Sequence, residues 1–335
     1  MHYVDDILAS CADIASEEHF KRLFESKWDH SPNSGGLATA LLGMSTLHNE
    51  ASGSVALNQA SMIEDIATTF GATSGRHWET PMAEKIDPSY IDEEGDLDTS
   101  KFNYPSICGC LLFVVTHTRP DCSTACSMLC SAMSKPQQRH YNAAVRLARY
   151  LFLTKTMGLV YSADMTDPLR NKLVAYCDAS WSSEAGSRSR AGYIVKLNGA
   201  TVCYKSKLIS SICLSCAESE TSACVMCTKD IIWLRMLLYE LGYTQPTTRV
   251  YGDNTAMIQS ATGNNGQRKD SRYYQMRTEF LKEIVRSGVA HLEFIPTNFM
   301  ASDGLTKNLS PATFMRHQPT IMGEQPAVAA TDIDL

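Results

Sequence analysis

Residues 171–205, NKLVAYCDASWSSEAGSRSRAGYIVKLNGATVCYK, decide how the chain is read. Leu173 to Asp178, Gly192 to Leu197 and Ala200 to Lys205 are short β-rich runs separated by polar and glycine-containing turns, a pattern that predicts a three-stranded antiparallel meander. Downstream, Glu218 to Leu241 reads as a long helix stopped by Gly242. Thr247 to Asp253 reads as a strand, followed by one helix from Asn254 and another over Ser271 to Arg286. A strand over His291 to Pro296 and a final helix capped by Asn298 complete the region.

Three strands, helix, strand, helices, strand and helix is the element order of a ribonuclease H fold. Four acids sit at element ends within it: Asp178, Glu220, Asp253 and Asp303. In an open sheet of that order these ends converge on one side, and like charges so close need cations to stay ionised. Two Mg²⁺ ions about 4 Å apart would satisfy them, one activating a water and the other stabilising the leaving 3′ oxygen of a phosphodiester. The expected chemistry is endonucleolytic phosphodiester hydrolysis. Taken singly, Asp178 also fits a strand-end turn, Glu220 a helix-dipole partner, Asp253 a helix cap and Asp303 a solvated face. Glu218 is the rival for Glu220, since both lie within one helical turn.

Bulk composition does not point to nucleic acid. The chain has 335 residues, 44% of them hydrophobic, and 30 basic against 36 acidic side chains give a net charge of -6. Counted by region, residues 1–170 carry 13 basic and 21 acidic groups, whereas residues 171–310 carry 16 and 12, so the acid-bearing region itself is mildly basic. No apolar run approaches the length of a membrane span, and MHYVDDILAS lacks a signal-peptide pattern, so the chain reads as intracellular without a membrane partner. Its 12 cysteines are then expected to stay reduced.

Upstream, Ser16 before Glu17 and Glu18, the pair Ser61 and Glu64 with Gly71 as stop, and Pro136 before Ala144, Leu147 and Leu151 announce three helices. The acidic stretch Asp87 to Asp98 reads as a solvated connector.

Residues 171–310 resemble the ribonuclease H domain of copia-type LTR retrotransposons in YCDASW, SRSRAGYIVKLNGATVCYKSK, LSCAESE, IIWLRMLLYELG, VYGDNTAMI and ASDGLTK. The resemblance places the family's catalytic, metal-binding acids on Asp178, Glu220, Asp253 and Asp303, and it favours Glu220 over Glu218. It implies Mg²⁺, for which Mn²⁺ substitutes, and cleavage of the RNA strand of RNA/DNA hybrids.

The upstream part resembles the same Pol polyprotein. YVDD, with Tyr3, Asp5 and Asp6, is similar to the palm hairpin of reverse transcriptase, and LLGMSTL, TPM and YPSICGCLLFVVTHTRPD follow in family order. The implied fold class is α/β (α+β): a reverse transcriptase palm/thumb remnant followed by a ribonuclease H-like mixed five-stranded sheet with flanking helices. The implied domains are a palm remnant over 1–50, a thumb and connection region over 51–168, a ribonuclease H domain over 169–312 and a disordered tail over 313–335. Partners would be RNA/DNA hybrid and other Pol or Gag-derived element proteins, in cytoplasmic virus-like particles or the nucleus.

Two aspartates cannot complete a two-metal polymerase site, so no polymerase activity is expected of this stretch alone. RYYQMRTEF at Arg272 to Phe280 departs from the family's KHIDIRYHF-like pattern, putting Tyr273 and Gln275 where His and Asp are usual. That departure supports the alternative, a non-catalytic relic that binds nucleic acid or a partner.

Arg188, Arg190, Lys205 and Lys207 are the expected phosphate contacts, with Arg268, Lys269 and Arg272 as a second basic group. The spacing of Cys213, Cys216, Cys224 and Cys227 is shorter than that of a typical zinc ribbon, and Cys224 and Cys227, like Cys122, Cys126 and Cys130, are expected to pack on a helix face. Trp181 is expected to pack as well.

Overall fold

The computed structural model describes residues 2–3, 6–7, 13–28, 39–49, 51–83, 97–98, 101–164, 166–263 and 272–324. Most of the acidic connector, together with Arg268 and Lys269, lies outside them.

The chain opens with a tiny antiparallel hairpin, β1 (His2–Tyr3) against β2 (Asp6–Ile7), in which Tyr3 pairs with Asp6. Helix α1 (Ile14–Glu25) follows, and Asp13, not Ser16, caps it, by accepting from the Ser16 N–H at 2.7 Å. Strands β3 (Ala40–Leu41), β4 (Met44–Asn49) and β5 (Ser54–Asn58) form an antiparallel sheet that β6 (Leu159–Tyr161) completes. The β4–β5 hairpin spans residue 50, where the palm remnant is expected to give way to the thumb and connection region.

Helices α2 (Ala60–Thr69), α3 (Tyr104–His117), α4 (Ser123–Ser131) and α5 (Gln138–Leu153) pack into a helical unit. Gln59 rather than Ser61 precedes α2, while Gly71 takes the positive φ of 67° that ends it. Ile63, Tyr104, Leu111, Leu129 and Leu147 fill the core of this unit.

The second unit is a five-stranded mixed sheet of order β11-β10-β7-β8-β9. It comprises β7 (Val174–Glu184), β8 (Arg188–Leu197), β9 (Ala200–Leu208), β10 (Thr248–Gly252) and β11 (Ala290–Phe294). The expected meander is present as β7, β8 and β9, and β10 runs parallel to both β7 and β11. Helices α6 (Cys216–Glu240), α7 (Thr255–Thr262) and α8 (Arg272–Arg286) belong to this unit. Strand alternation divides its core between two faces. Cys177, Tyr193 and Val195 pack with Cys224, Ile231 and Leu281, while Ile194 faces the other way toward Leu305, Ile321 and Met322.

Two expectations fail at the C-terminal end. Asn298 caps no α-helix: residues Thr297–Phe299 and Ala301–Leu305 form 3-10 turns, and Asp303 sits on the second. The segment taken for a disordered tail carries helix α9 (Pro311–Met322), whose Phe314 is buried in the helical core and whose Ile321 and Met322 are buried on the sheet. Its apolar positions are spaced for burial, and Pro319 within the helix is what disguised them. Residues 325–335 lie outside the described residues.

Cys224 and Cys227 pack in the core as expected, and the described cysteines are free thiols. Trp181 departs from expectation: it is 45% exposed and donates its indole N–H to the Cys213 carbonyl at 2.9 Å. No helix among the described residues is long and apolar enough to cross a membrane.

Candidate active site

Local chain geometry brings three acids to one place. Asp178 lies on the central strand β7 and pairs across the ladder with Gly192 of β8. Asp253 directly follows β10, the parallel neighbour of β7. The helix-cap alternative for Asp253 is taken by Asn254, whose side chain accepts from the Met257 N–H at 2.9 Å and leaves the Asp253 carboxylate free to face the sheet end. Glu220 comes from the start of α6, which packs over β7 and β8. Carboxylate oxygens of Asp178, Glu220 and Asp253 lie within 4.8 Å of one another.

Glu218 does different work on the same helix. The Ser215 hydroxyl accepts from the Glu218 N–H at 3.2 Å, and Glu218 Oε2 accepts from the Leu214 N–H at 2.8 Å, a reciprocal capping arrangement that occupies this carboxylate.

Asp303 stands outside the tight trio but is wired to it. Thr306 donates its hydroxyl to Asp178 Oδ2 at 2.6 Å and lies 3.1 Å from the Asp303 carbonyl, while Lys307 Nζ is 3.0 Å from Asp303 Oδ1. Thr297 donates to Asp253 Oδ2 at 2.8 Å. The 3-10 turn reaches this position because residue 192 is glycine: a Cβ there would lie 2.7 Å from the Thr306 methyl and 2.9 Å from the Leu305 backbone. Thr297, Thr306 and Lys307 were not singled out from sequence, although the last two belong to the ASDGLTK motif.

The electrostatics follow from crowding acids in a buried corner. Burial first, and then Asp303, push Asp178 up to about 7, against the opposing effects of Thr306 and Lys307. Burial, followed by Asp178, pushes Glu220 up to about 11. Burial opposes charge on Lys307, but Asp303 and Asp178 hold it above its ordinary value. Glu220 Oε2 is buried without a hydrogen-bond partner, which is costly unless something else supplies one. A cluster of hard oxygen donors with an orphaned, buried oxygen fits a divalent cation such as Mg²⁺.

The basic residues separate into two kinds. Arg190 is fully buried, paired through Nε and Nη2 with Glu184, and donates Nη1 to Ser127 at 2.7 Å and Ser206 at 3.1 Å. It therefore cannot meet a phosphate backbone, and its assignment as a nucleic-acid contact is corrected to a structural one. Half-buried Arg188 spends Nε and Nη2 on the Ile209 carbonyl. Lys205 and Lys207 point outward from β9 and are exposed, with Asp230 3.6 Å from the Lys205 ammonium.

In the departing stretch, the Arg277 guanidinium stacks over the Tyr273 ring at 4.0 Å and donates to its hydroxyl at 2.8 Å, while Tyr274 and Thr278 are buried. Of the YVDD motif, Tyr3 and Asp6 have a described backbone, in the β1–β2 hairpin, and Asp5 lies outside the described residues.

No family model matches the chain. Over 312 residues it is 28% identical to the retrovirus-related Pol polyprotein from transposon TNT 1-94 of Nicotiana tabacum, covering 91% of this chain and 23% of that protein. It is 28% identical over 261 residues to the corresponding protein from transposon RE1 of Arabidopsis thaliana, covering 77% of this chain and 17% of that protein. The chain thus spans a quarter or less of these two relatives. It is also 37% identical over 132 residues to secreted RxLR effector protein 161 of Plasmopara viticola, covering 39% of this chain and 90% of that protein. Among solved structures, LC11-RNase H1, isolated from compost by a metagenomic approach, is 18% identical, covers 41% of this chain and 93% of that one, and has a TM-score of 0.33.

Proposed function

The chain belongs with the Pol polyproteins of Copia-type transposons, and from that premise we propose that its five-stranded unit is a metal-dependent ribonuclease H that hydrolyses the RNA strand of RNA/DNA hybrids. The observation that carries this reading is the convergence of Asp178, Glu220 and Asp253, with a buried oxygen of Glu220 left without a hydrogen bond.

In this reading Asp178, Glu220, Asp253 and Asp303 hold the metal. Bound Mg²⁺, as a pair of ions and with Mn²⁺ as a substitute, supplies water activation and neutralises charge at the leaving 3′ oxygen. Thr306 fixes the orientation of Asp178 through its short hydrogen bond, and Lys307 tethers Asp303 while offsetting the negative charge of the corner. Exposed Lys205 and Lys207 are positioned for backbone phosphates, contacts that hold a hybrid in place without reading its sequence.

The test is incubation of the purified chain with an RNA/DNA hybrid and Mg²⁺ beside Asp178→Asn. The expected result is cleavage of the RNA strand that chelation abolishes and that falls by at least about a hundredfold in the variant, the upper end of what disturbing a metal's surroundings costs. Binding of hybrid without cleavage by the folded parent chain would overturn the enzyme reading and favour a non-catalytic relic.

A further inference from the structure

We propose that Thr124, on α4 of the helical unit, is a positioning residue for Asp303, which makes the helical unit a working part of the candidate active site. The inference rests on the ribonuclease H reading above and adds to it a residue from outside the five-stranded unit.

The turn Ala301–Leu305 is short, and 3-10 hydrogen bonds are poorly aligned, so a single such turn holds its shape only when its neighbours clamp it. On the sheet side the clamp is Gly192, which admits Leu305 and Thr306 at close approach. From the helical unit it is α4. The Thr124 hydroxyl donates to the carbonyl of Gly304, the residue after Asp303, at 2.8 Å, and the same oxygen lies 3.4 Å from Ser206 Oγ on β9. Thr124 is 3% exposed, so its hydroxyl has little access to water as an alternative partner.

Thr124 is the first of three residues on one face of α4 that address the other unit. Ser127 accepts from Arg190 at 2.7 Å, and Met128 Sδ lies 3.8 Å from the Asn308 amide nitrogen. Positions i, i+3 and i+4 share a helix face, so α4 meets β8, β9 and the C-terminal side of the Asp303 turn along a single stripe. Helix α9 also ties the two units together: Gln318 donates to Asp121 of the helical unit at 2.9 Å, and Thr201 of β9 donates to the Ile321 carbonyl at 2.7 Å.

One neutral hydrogen bond adds only modestly to global stability, yet displacement of a ligand-bearing turn by about 1 Å is enough to cost a large factor in rate. Thr124→Val keeps the shape and removes the donor. In the full chain it is expected to weaken Mn²⁺ binding, read by calorimetric titration, by about tenfold. It should also lower kcat with the hybrid KM unchanged, and speed amide exchange over residues 301–307. Thr124→Ser, which restores a hydroxyl, should recover metal affinity and kcat. Thr124→Ala makes the same measurement should the valine variant misfold.

Parent-like metal affinity and kcat in the folded valine or alanine variant would overturn the proposal, as would a serine variant impaired to the same degree as the valine one. If the parent itself cleaves no hybrid, the ribonuclease reading fails, while the Mn²⁺ titration and amide exchange still decide whether Thr124 positions Asp303.

Discussion

In the helical unit Asp121 is wholly buried against Arg119, with Tyr150 and Gln318 completing its partners, whereas at the sheet end Asp178 and Glu220 are buried beside other acids. Both corners bury carboxylates at a cost in solvation. In the first, the Arg119 guanidinium grips Asp121 through two hydrogen bonds of 2.9 and 2.8 Å and also donates to Thr154. Burial would raise the Asp121 carboxyl, but Arg119 holds it below the ordinary value. In the second, burial and the neighbouring acids push Asp178 and Glu220 upward, and the one nearby cation, among the described residues, that ion-pairs in the corner is Lys307, on Asp303. A corner whose charges are balanced by the chain itself serves the fold. A corner that leaves like charges crowded together is the arrangement expected of a candidate functional site.

The largest expected effect would break the first corner. Asp121→Ala leaves the Arg119 guanidinium buried and unpaired and should cost roughly 3–5 kcal/mol in urea unfolding, enough to threaten folding. A loss under about 1 kcal/mol would mean that the pair is not closed as described.

Next comes Gly192→Ala, which pushes a methyl into the Leu305 backbone and should cost roughly 1–3 kcal/mol while displacing the Asp303 turn. Metal affinity measured alongside stability should fall with it. A neutral substitution would contradict the close approach of β8 to the turn.

Removing a charge from the second corner should have the opposite sign to Asp121→Ala. Asp178→Asn is expected to stabilise the metal-free chain by roughly 1–3 kcal/mol at neutral pH while abolishing cleavage. The sign follows from the raised carboxyls. Their contribution to stability is complete below the unfolded value, 3.8 for Asp178, and is lost as pH rises through about 7; for Glu220 the loss continues toward about 11. The gap between variant and parent in chelator should therefore widen between pH 5 and pH 8. A gap that narrows would contradict the arrangement of acids.

The smallest effect on stability belongs to Lys205→Ala with Lys207→Ala, which should change unfolding by less than about 0.5 kcal/mol but raise the hybrid KM and flatten its salt dependence. An unchanged salt slope would remove these lysines from the phosphate contacts.

Much of this contrast was legible in the sequence, because the features that announce it are local. The β7–β9 meander and the α6 helix with Gly242 as its stop each rest on a few neighbouring residues, and the element order implied that acids at these element ends would meet, while the family resemblance chose Glu220 over Glu218. What escaped depends on partners far along the chain. Arg190 looked like a surface cation because nothing in SRSRAG reveals that Glu184 and Ser127 enclose it. The Asp303 turn looked like a helix behind Asn298 because it is shaped by Gly192 and Thr124. Helix α9 was hidden by Pro319, although Phe314 and Ile321 are spaced for burial.

The acids at the sheet end are proposed to take up a divalent cation that balances their charge. Thermal or urea unfolding of the parent chain across a Mg²⁺ titration, beside Asp178→Asn and Glu220→Gln, tests this most directly. The account predicts saturable stabilisation of the parent by roughly 1–3 kcal/mol and little or none in either variant. Equal stabilisation of all three chains, or none in the parent, would contradict it.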